Sequence, residues 1–145
     1  MSDMTIAARD NNLDDVQRFV LQPIEEQNII LSPKDQMQLE LAVEEIFVNI
    51  AHYSGSENAF ISCSIEKVLG QELKNQEQKK WKLVISFADT GTPFNPLEKE
   101  DPDISLNGED RQIGGLGIFL TKKYMDEVKY EYKDNKNILT LVKFI

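Results

Sequence analysis

Apolar positions recur along this chain with two different periods, and the places where the period changes mark out its elements. Thr5-Ile6-Ala7-Ala8 is short and fits an edge strand, and Asn11-Asn12 marks a turn in which Asn12 or Asp14 can cap the next segment. Leu13, Val16, Phe19 and Val20, with Ile24 beyond, follow a helical period. Pro23 lies inside that pattern and predicts a kink or break near Leu21-Gln22. The next helix is announced by Ser32-Pro33-Lys34-Asp35: an N-cap, a proline at the first helical position and an acidic residue in the first turn. No glycine or proline interrupts it as far as Tyr53. Turned at about 100° per residue, it places Gln38, Glu45, Asn49 and His52 on one polar stripe. Leu41 and Val48 flank that stripe on one side, and Ala42, Ile46 and Tyr53 on the other, whereas Glu40 and Glu44 fall on the far, solvent side. A polar stripe between apolar flanks describes the floor of a cleft. It equally describes an ordinary polar pair at the edge of a core helix.

After the turn cluster Ser54-Gly55-Ser56-Glu57-Asn58 the period becomes two. Ala59 to Ile65 reads as a strand, and Gln71 to Lys80 as an exposed hairpin loop without an apolar residue after Leu73. Trp81 to Asp89 is the clearest strand, with Trp81, Leu83, Ile85 and Phe87 on one face and Asp89 emerging on that same face. Thr90-Gly91-Thr92-Pro93-Phe94-Asn95-Pro96 is a stiff turn. Leu97 to Gln112 is acidic, poor in apolar residues and long for a connector, as lids and binding segments often are. Ile113-Gly114-Gly115-Leu116-Gly117 leads into a helix carrying Ile118, Leu120, Tyr124 and Met125. Val128 to Tyr132 and Ile138 to Val142 are two further strands around a turn at Lys133 to Asn137. This order lacks the strict alternation of a doubly wound fold. It predicts an α+β two-layer sandwich over residues 1–145, with a mixed, mainly antiparallel sheet and the helices gathered on one face.

The net charge of −9 argues against sequence-independent binding to nucleic acid or to an anionic membrane. Cys63 is the only cysteine, which excludes a disulfide framework and a thiolate metal site. The N-terminus lacks a signal peptide pattern and no apolar run is long enough for a bilayer, so a cytoplasmic location is expected.

Three places carry chemistry. Asp89 leaves the core face of an apolar strand, where an unpaired carboxylate costs several kcal/mol. An amino-bearing ligand would supply its donor; stabilising the Thr90-Gly91 turn is the alternative. Gly91 offers a point of close backbone approach. The Gly114-Gly115-Leu116-Gly117 run opening a helix has free N–H groups and a positive dipole end, the ingredients of an anion site, although a hinge or cap has the same composition. It is neither a P-loop nor a dinucleotide fingerprint, for want of the right spacing and flanks. Glu45 and Asn49 offer hard oxygen atoms to a magnesium ion that completes its shell with water and phosphate.

Taken together, Glu45-x-x-x-Asn49, then Asp89-x-Gly91-x-Pro93-Phe94-Asn95-Pro96, then Gly114-Gly115-Leu116-Gly117-Ile118 resemble the N, G1 and G2 boxes of the Bergerat, or GHKL, ATP-binding fold. Within it the chain is most similar to the bacterial anti-sigma-factor serine/threonine kinases. The resemblance implies ATP and Mg2+ as cofactors, with Asn49 on the metal and Glu45 as general base or as the group that orients the nucleophile. It implies that Asp89 accepts from the adenine amino group, with Gly91 and Phe94 beside the ring, and that Gly114, Gly115, Leu116 and Gly117 hold the phosphates under a lid over residues 97–112. Asn95 stands where the family often has Asp, and His52 and Tyr53 end the first box. His52 is expected to pack or lie near phosphate, and Arg111 to reach a γ-phosphate or remain solvated. The implied partners are a STAS-domain anti-anti-sigma protein, which would be phosphorylated, a sigma factor, and a second copy in a homodimer. The alternative is a nucleotide-binding module that sequesters a regulator without phosphoryl transfer.

Overall fold

A computed structural model of the chain describes residues 1–68, 79–98 and 116–145. Its elements follow the expected order: β1 Ser2–Ala7, α1 Leu13–Glu26, α2 Pro33–Asn49, β2 Asn58–Lys67, β3 Trp81–Asp89, α3 Leu116–Tyr124, β4 Glu127–Lys133 and β5 Lys136–Phe144. The strands form one sheet in the order β1-β2-β3-β5-β4, and each pairing is antiparallel. The helices cover one face, giving the α+β two-layer sandwich.

Local signals account for most boundaries. Ser32 Oγ accepts from the Asp35 N–H at 3.0 Å, so the N-cap of α2 forms as the Ser-Pro pair implies. Asp134 and Asn135 both adopt positive φ, at 54° and 61°, and join β4 to β5 through a two-residue turn. The turn is therefore tighter than the Lys133–Asn137 segment expected from composition, and Asn137 belongs to β5.

Three expectations are corrected. Helix α1 runs unbroken through Pro23 to Glu26. The proline falls in the last turn, where its missing N–H forfeits a single helical bond, and Ile24 beyond it is buried in the core. Asn12 occupies the N-cap position of α1 but does not cap it; its Nδ2 instead donates to the Ala7 carbonyl at 2.9 Å, tying the helix start to β1. Helix α2 ends at Asn49, and Ile50–Ser54 continues as a π-helical turn closed by Gly55 at φ 74°. Of the expected lid, only Leu97 and Glu98 are described, within the short 3-10 turn Pro96–Glu98; the rest of 97–112 lies outside the described residues. The same holds for the expected hairpin loop over 71–80, of which Lys79 and Lys80 alone are described.

The core forms where Val16, Val20 and Ile24 of α1 and Leu39, Val43, Ile46 and Phe47 of α2 meet the inward residues of the sheet. Cys63 is part of it; burial pushes its thiol up to about 12, which leaves an inert side chain. On β5 the inward row reads Asn137, Leu139, Leu141, Lys143, apolar in the middle and polar at both ends. At one end Lys143 Nζ donates to Gln38 Oε1 and to the Tyr124 carbonyl, both at 3.1 Å, and lies 3.7 Å from Asp35 Oδ1. This buried lysine ties the first turns of α2 to the end of α3.

Burial holds the Lys143 ammonium below the usual lysine range, with Asp35 and Asp126 opposing and Lys79 reinforcing the shift. The folded protein therefore releases this proton at a lower pH than the unfolded chain does, and stability rises with pH between those two values. The melting temperature of the wild type, taken relative to that of Lys143→Met, should increase as the pH is raised toward the ordinary lysine value of about 10.4. A difference that stays flat over that rise would contradict the buried-ammonium description.

Candidate active site

The floor of the site is the C-terminal half of α2. Glu44 is exposed and Glu45 half-buried, which separates the two neighbours as the helical wheel requires. Asn49 Nδ2 donates to Glu45 Oε1 at 3.0 Å across one helical turn. That bond fixes the orientation of the amide and directs Oδ1 away from Glu45 (an amide nitrogen donates and its oxygen accepts). Glu45 in turn packs on the first turn of α3. A Cβ at Gly117 would lie 1.8 Å from Glu45 Cδ and 2.1 Å from Oε2, so no side chain fits beside that carboxylate. Gly117 thus leaves room for the Glu45 carboxylate in the pose it holds, and the first turn of α3 packs on that carboxylate. Its N-terminal dipole favours an anion at that spot.

The wall facing this floor is the end of the sheet. Asp89 is 8% exposed at the last position of β3, paired in register with Ala59 on one side and Asn137 on the other. Asp89 Oδ1 accepts from the Gly91 N–H at 2.9 Å and from Asn137 Nδ2 at 3.0 Å. The turn-stabilising role anticipated for Asp89 is therefore real, but it occupies one oxygen. Among the described residues Oδ2 receives no hydrogen bond. The close approach at Gly91 is to protein: a Cβ there would stand 2.2 Å from the Ser54 carbonyl oxygen, so Gly91 packs the turn against the end of the π-helical segment.

Asn137 was hidden in the sequence as an apparent turn residue. It is buried, and besides Asp89 its Nδ2 donates to the Thr92 carbonyl at 3.0 Å and the Gly91 carbonyl at 3.3 Å. Its Oδ1 accepts from the Phe94 N–H at 2.9 Å and the Tyr130 hydroxyl at 2.5 Å. One signal could have revealed it: Asn137 shares the period-two row of Leu139 and Leu141, which point into the core.

Between floor and wall lies a cavity of about 630 Å³, the size of a small-ligand pocket. Its lining is mainly apolar, including Ile46, Phe87, Ile118 and Leu139, with Asn49, Asp89 and Asn137 as convergent polar groups. Phe94 lines it while remaining 65% exposed, and Tyr53 stands at its edge. The structure thus brings Asn49, Asp89, Phe94 and Asn137 to one cavity. Glu45 lies behind Asn49 and is not part of the cavity wall, and Gly91 supports the wall from outside it. Leu116 and Gly117 open α3, whereas Gly114, Gly115 and Arg111 lie outside the described residues. His52 leaves the polar stripe, because the chain widens to a π turn after Asn49; its Nε2 meets Asp10 Oδ2 at 2.6 Å.

Among the described residues no group of three or more His, Cys, Asp or Glu side chains could hold a metal. A cation here would take Asn49 Oδ1 and draw its other oxygens from ligand and water, which suits magnesium and phosphate.

Gly117→Ala should displace the Glu45 carboxylate, since the flexible side chain yields before the backbone. The protein should remain folded, with the Asn49 side-chain amide resonances shifted in a 1H–15N spectrum as the Asn49–Glu45 bond is lost. Unchanged Asn49 resonances in a folded Gly117→Ala protein would refute this packing.

The catalytic domain of the histidine kinase ThkA, in two nucleotide-free crystal forms, aligns over 99% of this chain and 97–98% of its own, at 15% and 16% identity with TM-scores of 0.47 and 0.49. The serine-protein kinase RsbW of Listeria monocytogenes is 28% identical over 113 residues, covering 74% of this chain and 64% of that protein. The serine/threonine-protein kinase BtrW of Bordetella bronchiseptica is 30% identical over 64 residues, 44% of this chain and 45% of that protein. The matches thus span about half to two thirds of the length of these relatives. The profile of the Histidine kinase-like ATPase domain matches residues 6–143, nearly the whole chain, and the protein belongs to that family.

Proposed function

We propose that the cavity binds ATP with magnesium and that the chain transfers the γ-phosphoryl group to a serine or threonine hydroxyl of a STAS-type anti-anti-sigma protein. The observation that carries the nucleotide part is Asp89: a buried carboxylate in an apolar cavity, with one oxygen committed to the protein and the other left for a donor. The adenine amino group is such a donor, and Phe94 offers a ring face beside it. The names of RsbW and BtrW as serine and serine/threonine kinases support the transfer step. Recognition of a STAS partner, sequestration of a sigma factor, a cytoplasmic location and a homodimeric state complete the proposal and rest on the resemblance to the anti-sigma kinases. Among the described residues no helix is long and apolar enough to cross a membrane.

In this reading Asn49 presents Oδ1 to the metal, held in that orientation by its bond to Glu45. Magnesium, when bound, would neutralise charge on the phosphate oxygens. Glu45 accepts the proton of the acceptor hydroxyl as its oxygen forms a bond to the γ-phosphorus. The bond from that phosphorus to the β–γ bridging oxygen breaks, and ADP is the leaving group. Packing against Gly117 and hydrogen bonding to Asn49 restrict the Glu45 side chain, as a positioned base requires.

Two comparisons test binding and transfer separately. Asp89→Asn should strongly weaken ADP binding in calorimetry while the fold is retained, because the amide loses charge assistance and can turn NH₂ toward the adenine amino group. Unchanged affinity in the folded variant would remove Asp89 from the nucleotide site. Glu45→Gln should slow phosphotransfer to a STAS-type partner by about 10²–10⁴-fold with little change in ATP affinity. Glu44→Gln, one residue away and exposed, should alter neither quantity. Transfer is read by intact mass of the partner incubated with ATP and magnesium. Absence of transfer by the wild type would favour a nucleotide-binding module that acts by sequestration.

A further inference from the structure

The Asn137 side chain does more than fill the end of β5. Five bonds converge on it, and they distribute by chemistry. Its oxygen receives the Phe94 N–H and the Tyr130 hydroxyl, while its nitrogen faces Asp89 Oδ1 and the Gly91 and Thr92 carbonyls. Donors on one side and acceptors on the other permit a single orientation of the amide. A flipped Asn137 would set its NH₂ against the Phe94 N–H and its oxygen against three acceptors. The consequence falls on Asp89. Its Oδ1 is saturated by Asn137 and the Gly91 N–H, so its rotation about the terminal bond is blocked and Oδ2 alone remains for the cavity.

We propose that Asn137 is a positioning residue for base selectivity: it locks Asp89 as a one-oxygen acceptor and so makes the pocket discriminate a purine bearing an amino group from one bearing a carbonyl at the same position. The inference rests on the adenine-nucleotide reading of the cavity and adds to it the residue that sets the selectivity. Asn137 acts here through Asp89 and through the turn, whose Gly91, Thr92 and Phe94 backbone groups it also holds. A carboxylate fixed in one pose meets the amino group with an aligned charge-assisted bond, and meets a carbonyl with two facing acceptors. A carboxylate freed to rotate gives up the alignment that favours the amino group. Tyr130 supports the same lock from β4, since its hydroxyl bonds the Asn137 oxygen and anchors the side chain whose nitrogen holds Asp89.

Calorimetry with ADP and inosine diphosphate, in the presence of magnesium, separates this role from a general structural one. The two ligands share ribose and phosphates and differ at the group that faces Asp89. Asn137→Ala should weaken ADP by about ten- to a hundredfold, the loss expected for a misaligned bond to a charged group, while inosine diphosphate changes by less than about threefold. Tyr130→Phe keeps the ring and the fold and should shift the ADP-to-inosine-diphosphate ratio in the same direction by a smaller factor. It decides the matter by itself where Asn137→Ala does not fold. Equal losses for both nucleotides, or an unchanged ratio, overturn the selectivity role and leave the nucleotide site standing. A wild type that binds neither nucleotide overturns the nucleotide reading, and the selectivity role with it.

Discussion

A buried carboxylate must find donors, and the end of this sheet is arranged around that requirement. Asp89 leaves the apolar row of β3 with water largely excluded, so an unpartnered charge there would be costly. The cross-strand neighbour Asn137 supplies one donor and the Gly91 N–H another. Because the same amide also binds the carbonyls of Gly91 and Thr92 and the N–H of Phe94, satisfying Asp89 and shaping the turn are one event. Another course for the turn would cost Asp89 its bond from the Gly91 N–H and Asn137 its bonds to Gly91, Thr92 and Phe94.

The rest of the fold presents this corner to α2. Antiparallel register sets Asp89 opposite Asn137, and the apolar rows behind them pack on Ile46 and Phe47. The far end of the β5 row is closed by Lys143, bonded to Gln38 on α2, so the helix is tethered at one end by a polar pair and faces a cavity at the other. Along α2 the work divides. Asn49 reaches the cavity, whereas Glu45 is set behind it against Gly117 at the start of α3. In the proposed reading, base binding at the sheet and chemistry at the helix junction fall to separate elements that can be altered separately.

Much of this was legible because it is local. Ser32-Pro33 marks the start of α2, period two marks β3, and the Glu45-to-Asn49 spacing places both on one helical face; each depends only on neighbours in sequence. What escaped depends on the third dimension. Asn137 sits next to a turn and carries turn-like composition, and its role follows from a partner 48 positions away. His52 was misplaced because a wheel of constant pitch cannot anticipate the π turn that starts at Ile50. Gly91 was read as a point of close approach and Gly117 as part of an anion site; the fold adds that each makes room for protein, at Ser54 and Glu45. Pro23 was read as a break, and proximity to the end of α1 made it tolerable.

The central claim is that Asp89 holds one oxygen for the protein and one for a base. A crystal structure of the protein with ADP and magnesium tests it most directly. The adenine amino group should donate to Asp89 Oδ2 while the Asn137 bond to Oδ1 is kept, with the metal on Asn49 Oδ1. A base lodged away from Asp89, or an Asp89 whose two oxygens both turn to the protein in the complex, would contradict it.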